Sequence, residues 1–123
     1  MTVQEWSDDI MLVELASEPQ FSEDLATLND RLAKRPHHVV VSLAEVGHLN
    51  SSNLAQLLRL RKRTQETDRQ VVLTAVPDGV WGVMLVTGLD KVFRFAEDVP
   101  SALATLQLDG GEDAIGDAKG PRA

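Results

Sequence analysis

Five residues, Val39-Val40-Val41-Ser42-Leu43, constrain the rest of the chain most. Three successive β-branched side chains lose rotamer freedom in a helix and pack well on a pleated sheet. A run of strand length with almost no polar break reads as the central strand. After Ala44-Glu45-Val46-Gly47 comes a short polar stretch, His48-Leu49-Asn50-Ser51-Ser52-Asn53-Leu54. From Ser51 to about Glu66 the pattern is that of an amphipathic helix: Leu54, Leu57 and Leu58 fall at i, i+3 and i+4, with Ala55 and Leu60 flanking them. Strand, tight turn and helix together put two hydroxyls at a helix N-terminus. Backbone N–H groups there are unsatisfied and the local field favours negative charge. A hydroxyl in that place can cap the helix or, if exposed, receive a phosphate. Gln56, Arg59, Lys62 and Arg63 face away from the leucines and make a basic outer side, which reads first as a solvated face.

Elements follow on either side. Residues 3–6 and 10–15 read as two strands joined by Ser7-Asp8-Asp9, a turn cluster, so a hairpin is expected, with Trp6 packing at its end. Ser17-Glu18-Pro19-Gln20 breaks the second strand. Ser22 is the expected N-cap of a helix with Leu25, Leu28 and Leu32 on one face, ending near Lys34 and Arg35 before Pro36. His37 and His38 read as loop residues. After Thr67-Asp68-Arg69, residues 70–76 read as a strand, Pro77-Asp78-Gly79 opens a helix through Trp81, Met84 and Leu85, and Gly88 ends it. Residues 91–95 read as a short strand. A last helix spans 99–106, with Asp98 or Ser101 near its start and Ala102, Leu103 and Leu106 inside.

At 123 residues the chain suits one core. Residues 1–108 are expected to form that domain. Residues 109–123 are rich in glycine and acids and read as a disordered tail. There is no cysteine, which excludes disulfides and thiol nucleophiles. The net charge of −7 argues against nucleic acid as the main partner, because phosphate contacts need clustered Lys and Arg. Neither a signal peptide nor a run of about 20 apolar residues is visible, so a cytoplasmic protein without a membrane partner is expected.

Catalytic patterns are thin. The glycines do not form a phosphate loop. Ser51 and Ser52 lack a nucleophile elbow, and His48 three residues away does not define a Ser–His pair. Three histidines without further ligands at metal spacing give no metal site. No enzyme, cofactor or metal is expected.

The stretch Leu49-Asn50-Ser51-Ser52-x-Leu54 followed by Leu57-Leu58-Arg59-Leu60-Arg61-Lys62 resembles the STAS domain of anti-sigma factor antagonists. So does Val76-Pro77-Asp78-Gly79-Val80 running on to Gly88-Leu89-Asp90-Lys91-Val92-Phe93. The resemblance implies an α/β fold: one STAS-like domain, with a mixed sheet of four to five strands and about four helices mainly packed on one face. It implies a transcription regulator that switches partners. Unphosphorylated, it would bind an anti-sigma serine kinase of the ATPase fold; phosphorylation of Ser51, or alternatively Ser52, would release it, and a PP2C-type phosphatase would restore binding. His48, Asn50, Ser51, Ser52, Asn53, Gln56 and Arg59 are the expected partner-binding residues. Asn50 stands where the family usually has aspartate, and Asn53 where glycine is typical. The region of Ser17-Glu18-Pro19-Gln20-Phe21 lacks the usual Leu-Asp. Two other readings stay open: a STAS scaffold or sensor whose serines only cap the helix, and an enzyme or small-ligand-binding protein using the turn at 48–54.

Overall fold

The protein is described by a computed structural model over residues 3–109. Of the expected tail, residues 109–123, Asp109 is the last residue of a helix and 110–123 lie outside the described residues. In chain order the elements are β1 (Val3–Glu5), β2 (Ile10–Ala16), α1 (Gln20–Lys34), β3 (His38–Glu45), α2 (Ser51–Glu66), β4 (Val71–Thr74), α3 (Asp78–Thr87), a 3-10 turn (Leu89–Lys91), β5 (Arg94–Ala96) and α4 (Val99–Asp109). They form an α/β domain with one mixed five-stranded sheet in the order β1-β2-β3-β4-β5. β1 is antiparallel to β2, closing the hairpin at Ser7, whose Oγ accepts from the N–H groups of Asp9 and Ile10. β2 to β5 are parallel, each joined to the next through a helix.

β3 lies at the centre, and its valines show why the run is apolar on both faces. Val39, Val41 and Leu43 point into the larger core, with Met11, Val13 and Leu15 of β2, Val71 and Leu73 of β4, and the inner sides of α1, α2 and α3. Val40 points the other way, with Ile10, Leu12 and Val72, against Ala102 and Leu106 of α4. Three helices on one face and one on the other match the expected packing mainly on one face. Among the described residues no helix is long and apolar enough to cross a membrane.

Local boundaries differ from the sequence reading in four places. α1 begins at Gln20, so Ser22 is an early helical residue and not the cap. The inner side of α2 is Asn53, Leu57, Leu60 and Thr64, with Leu54 half-buried and Leu58 exposed. β5 begins at Arg94, because Leu89 and Phe93 sit four apart in a helical turn, where the N–H of Phe93 donates to the carbonyl of Leu89 and both side chains reach the core. The two histidines are not plain loop residues. His37 is buried, its Nδ1 2.9 Å from the carbonyl of Arg35. His38 opens β3, and its Nδ1 accepts from the N–H of Gln70.

Candidate functional site

Because β2, β3, β4 and β5 are parallel, their carboxyl ends share one edge of the sheet. The loops into α1, α2, α3 and α4 gather there, and open α/β sheets bind their ligands at such edges. The turn from β3 into α2 is pinned from below. Val46 and Leu49 are buried, while His48 and Asn50 between and after them are exposed.

Asn50 is the N-cap of α2, with extended φ and ψ of −101° and 177°. Its Oδ1 accepts from the backbone N–H of Asn53 at 2.8 Å. Asn53 answers, its Oδ1 accepting from the N–H of Asn50 at 3.0 Å. This reciprocal box satisfies two of the orphan donors at the helix start. The side chain of Asn53 is turned inward and is only 2% exposed. Its Nδ2 donates to Glu18 Oε2 at 2.8 Å.

Glu18 thereby ties α2 to the start of α1. Its carboxylate also accepts from the Ser22 N–H at 3.0 Å and from the Ser22 hydroxyl at 2.6 Å. Those two bonds to Ser22, the hydroxyl first, hold the Glu18 carboxyl below its ordinary 4.5; partial desolvation opposes them and the Asn53 amide reinforces them. Ser22 Oγ in turn accepts from Gln56 Nε2 at 3.1 Å, and Gln56 also reaches Ser52 Oγ at 3.4 Å. A further bond, from the Gly47 N–H to Ser17 Oγ at 3.0 Å, laces the same two loops.

The expected site residues therefore divide. His48, Asn50, Ser51, Ser52 and Arg59 are exposed, Gln56 is half-buried, and Asn53 lies beneath them. Ser52 is held by Gln56. The Ser51 hydroxyl is bonded to nothing among the described residues, and His48 makes no hydrogen bond to either serine. Among the described residues no group of three or more His, Asp or Glu side chains could hold a metal ion. Glu18 was not legible as a site residue. It lies 35 positions from Asn53, and beside Pro19 it reads only as a strand break.

The geometry is that of a known fold. A family model described as "Mlab, STAS domain" matches residues 4–107. A candidate anti-sigma factor antagonist from Thermotoga maritima superposes with a TM-score of 0.76 at 15% identity, over 85% of this chain and 92% of that one. An anti-sigma-factor antagonist (STAS) domain protein from Planctomyces limnophilus gives 0.73 at 20%, over 85% and 96%. An RsbS from Moorella thermoacetica, with a serine replaced by glutamate, gives 0.74 at 14%, over 86% and 93%. At these identities the structures share the fold, and the family match rests on the sequence. The chain belongs to the STAS domain family.

Proposed function

We propose that this protein is an anti-sigma factor antagonist that works by partner switching. In its unphosphorylated form it binds an anti-sigma serine kinase of the ATPase fold, and phosphorylation of Ser51 ends the binding. The observation that carries this reading is the contrast between the two serines. Ser51 is exposed at the first position of α2 with an uncommitted hydroxyl, whereas Ser52 is engaged by Gln56. On this reading His48, Asn50, Ser52, Gln56 and Arg59 make up the contact surface with Ser51, and the buried Asn53 supports the helix start.

Phosphate adds about −1.5 to −2 charges. At a helix N-terminus it is tolerated by the domain itself. Under a docked partner it would lose water and meet whatever charge faces it. A loss of about 3 kcal/mol weakens binding by roughly a hundredfold, so the switch needs no refolding. A PP2C-type phosphatase would reset it. The decisive experiment is incubation with an anti-sigma kinase and ATP, followed by mass spectrometry. Phosphate is expected on Ser51 and absent from Ser51→Ala; an unmodified chain, under conditions that modify another family member, would rule the switch out.

One observation favours a second reading, a STAS scaffold without regulated phosphorylation. The start of α2 is already satisfied by Asn50 and Asn53, and the Glu18 carboxylate is already bonded to it. On that reading Ser51→Asp leaves partner affinity unchanged in a binding titration.

A further inference from the structure

α3 carries almost no polar side. Its ten residues, Asp78-Gly79-Val80-Trp81-Gly82-Val83-Met84-Leu85-Val86-Thr87, hold one charge, at the first position. A surface helix ordinarily sets charged and polar residues against water, and one that is apolar all round is ordinarily covered. Here Val80 and Met84 are buried, yet Trp81, Leu85 and Val86 are 37%, 52% and 88% exposed. Trp81 stands edge-on to Phe95 of β5, with ring centroids 5.1 Å apart and planes at 88°.

The glycines of α3 give a second, independent sign. Glycine weakens a helix interior unless something requires it. A Cβ on Gly79 or Gly82 would meet nothing within 4 Å, so nothing among the described residues requires either. Gly79, Gly82 and Val86 follow one another at i, i+3 and i+7 along one side of the helix, next to Trp81 and Leu85. At the two glycines the backbone on that side carries no side chain, so another chain can approach it closely.

The neighbouring element sets the charge of the occupant. α2 connects β3 to β4 and α3 connects β4 to β5, so the two helices are adjacent crossovers on one face of the sheet. Leu58 of α2 is exposed and adds to the apolar area. Around it α2 carries Arg59, Arg61, Lys62 and Arg63 against a single acid, Glu66. The geometry points to α3 with the outer side of α2 as a docking surface for a partner protein that presents an apolar helix edged with acidic residues. Burial of the exposed Trp81, Leu85 and Val86 drives the contact, and the basic side of α2 selects the acidic edge. A second copy of this chain would bring the same basic side to the same patch and offer no acid there. The surface does not depend on phosphate chemistry at Ser51.

The test uses the full chain with Trp6→Phe, so that emission reports Trp81. The probe is a synthetic helical peptide with leucines at i, i+3, i+4 and i+7 and glutamates flanking them; its control carries lysines in place of the glutamates. The glutamate peptide is expected to shift Trp81 emission to the blue and to bind at least tenfold tighter than the lysine peptide. The preference should shrink as salt rises. Gly82→Leu places a side chain on that bare backbone, where a Cβ meets no neighbour, and is expected to hold or raise the melting temperature while losing at least tenfold in affinity. Equal binding of the two peptides, no binding of either, or an unaltered Gly82→Leu affinity would overturn the proposal. So would a blue shift that appears with protein concentration alone, indicating a second copy, or only with phosphatidylglycerol vesicles, indicating lipid.

Discussion

Glu18 and Asn53 show how one side chain can serve two loops. The carboxylate holds the first turn of α1 through Ser22 and the first turn of α2 through Asn53. Folding lowers its pKa, so its contribution to stability is full above 4.5 and is lost as pH falls through the lower, folded-state value. Glu18→Gln has no such charge. The melting temperatures of wild type and Glu18→Gln should therefore differ at neutral pH and converge as the pH falls below 4.5 and through the lower, folded-state value; a gap that stays constant into acid would disconnect the carboxylate from the fold. The two asparagines separate in a similar way. Asn50→Ala removes a cap and should cost about 1 kcal/mol in urea denaturation. Asn53→Ala removes the answering bond and the amide on Glu18 together, and should cost more, about 2 kcal/mol. The cap is Asn50 and not the serine hydroxyls expected for it; a short polar side chain before a helical pattern is a local signal, and here it lies one residue earlier. Glu18 was not legible, because its partner arrives only when β2 and β3 pair.

At the scale of the element, α2 shows where hydropathy misplaces a face. The leucines at 54, 57 and 58 suggest an inner side that is rotated from the real one. The helix instead buries two polar residues, Asn53 and Thr64, because each is satisfied locally: Asn53 by its box and Glu18, Thr64 by donating its hydroxyl to the carbonyl of Arg61 at 2.9 Å. A satisfied polar group costs little to bury, so the tertiary fit overrides the leucine count and leaves Leu58 outside. α3 was legible as a helix and its Gly88 cap appears as expected, with φ of +78°. What the spacing did not reveal is that Trp81 and Leu85, read as part of its apolar pattern, stay exposed. Gly82→Ala should stabilise the isolated protein by about 0.5–1 kcal/mol, since alanine removes the entropy cost of a mid-helix glycine and meets no neighbour. A loss of stability in thermal melts would mean that Gly82 packs against something within the domain.

For the whole molecule, the order of elements was legible from end to end, because the first strand run meets a turn and a second strand, and each later run is followed by a turn signal and then a helical period. The sheet's mixture of directions follows from that order: a two-strand hairpin must be antiparallel, and strands joined through helices return parallel. Not legible was which helix would cover the second face. α4 does so, and among the described residues Ala102 and Leu106 are its buried contributions to a small core with Ile10, Leu12, Val40 and Val72. Leu106 is the last of these in the chain, which gives a sharp boundary to test. Leu106→Ala opens a cavity where one helix alone closes the sheet, and should cost about 2–4 kcal/mol. Ending the chain at Asp109 removes residues 110–123, which hold Ile115 as their only large apolar side chain, and should shift the melting temperature by less than about 2 °C, well under the shift that about 1 kcal/mol gives in a domain of this size. Calorimetry on both variants checks the pair. If truncation lowers the melting temperature by many degrees, the acidic segment docks on the domain and the boundary lies beyond Asp109. If Leu106→Ala is nearly silent, α4 is not what closes the second face.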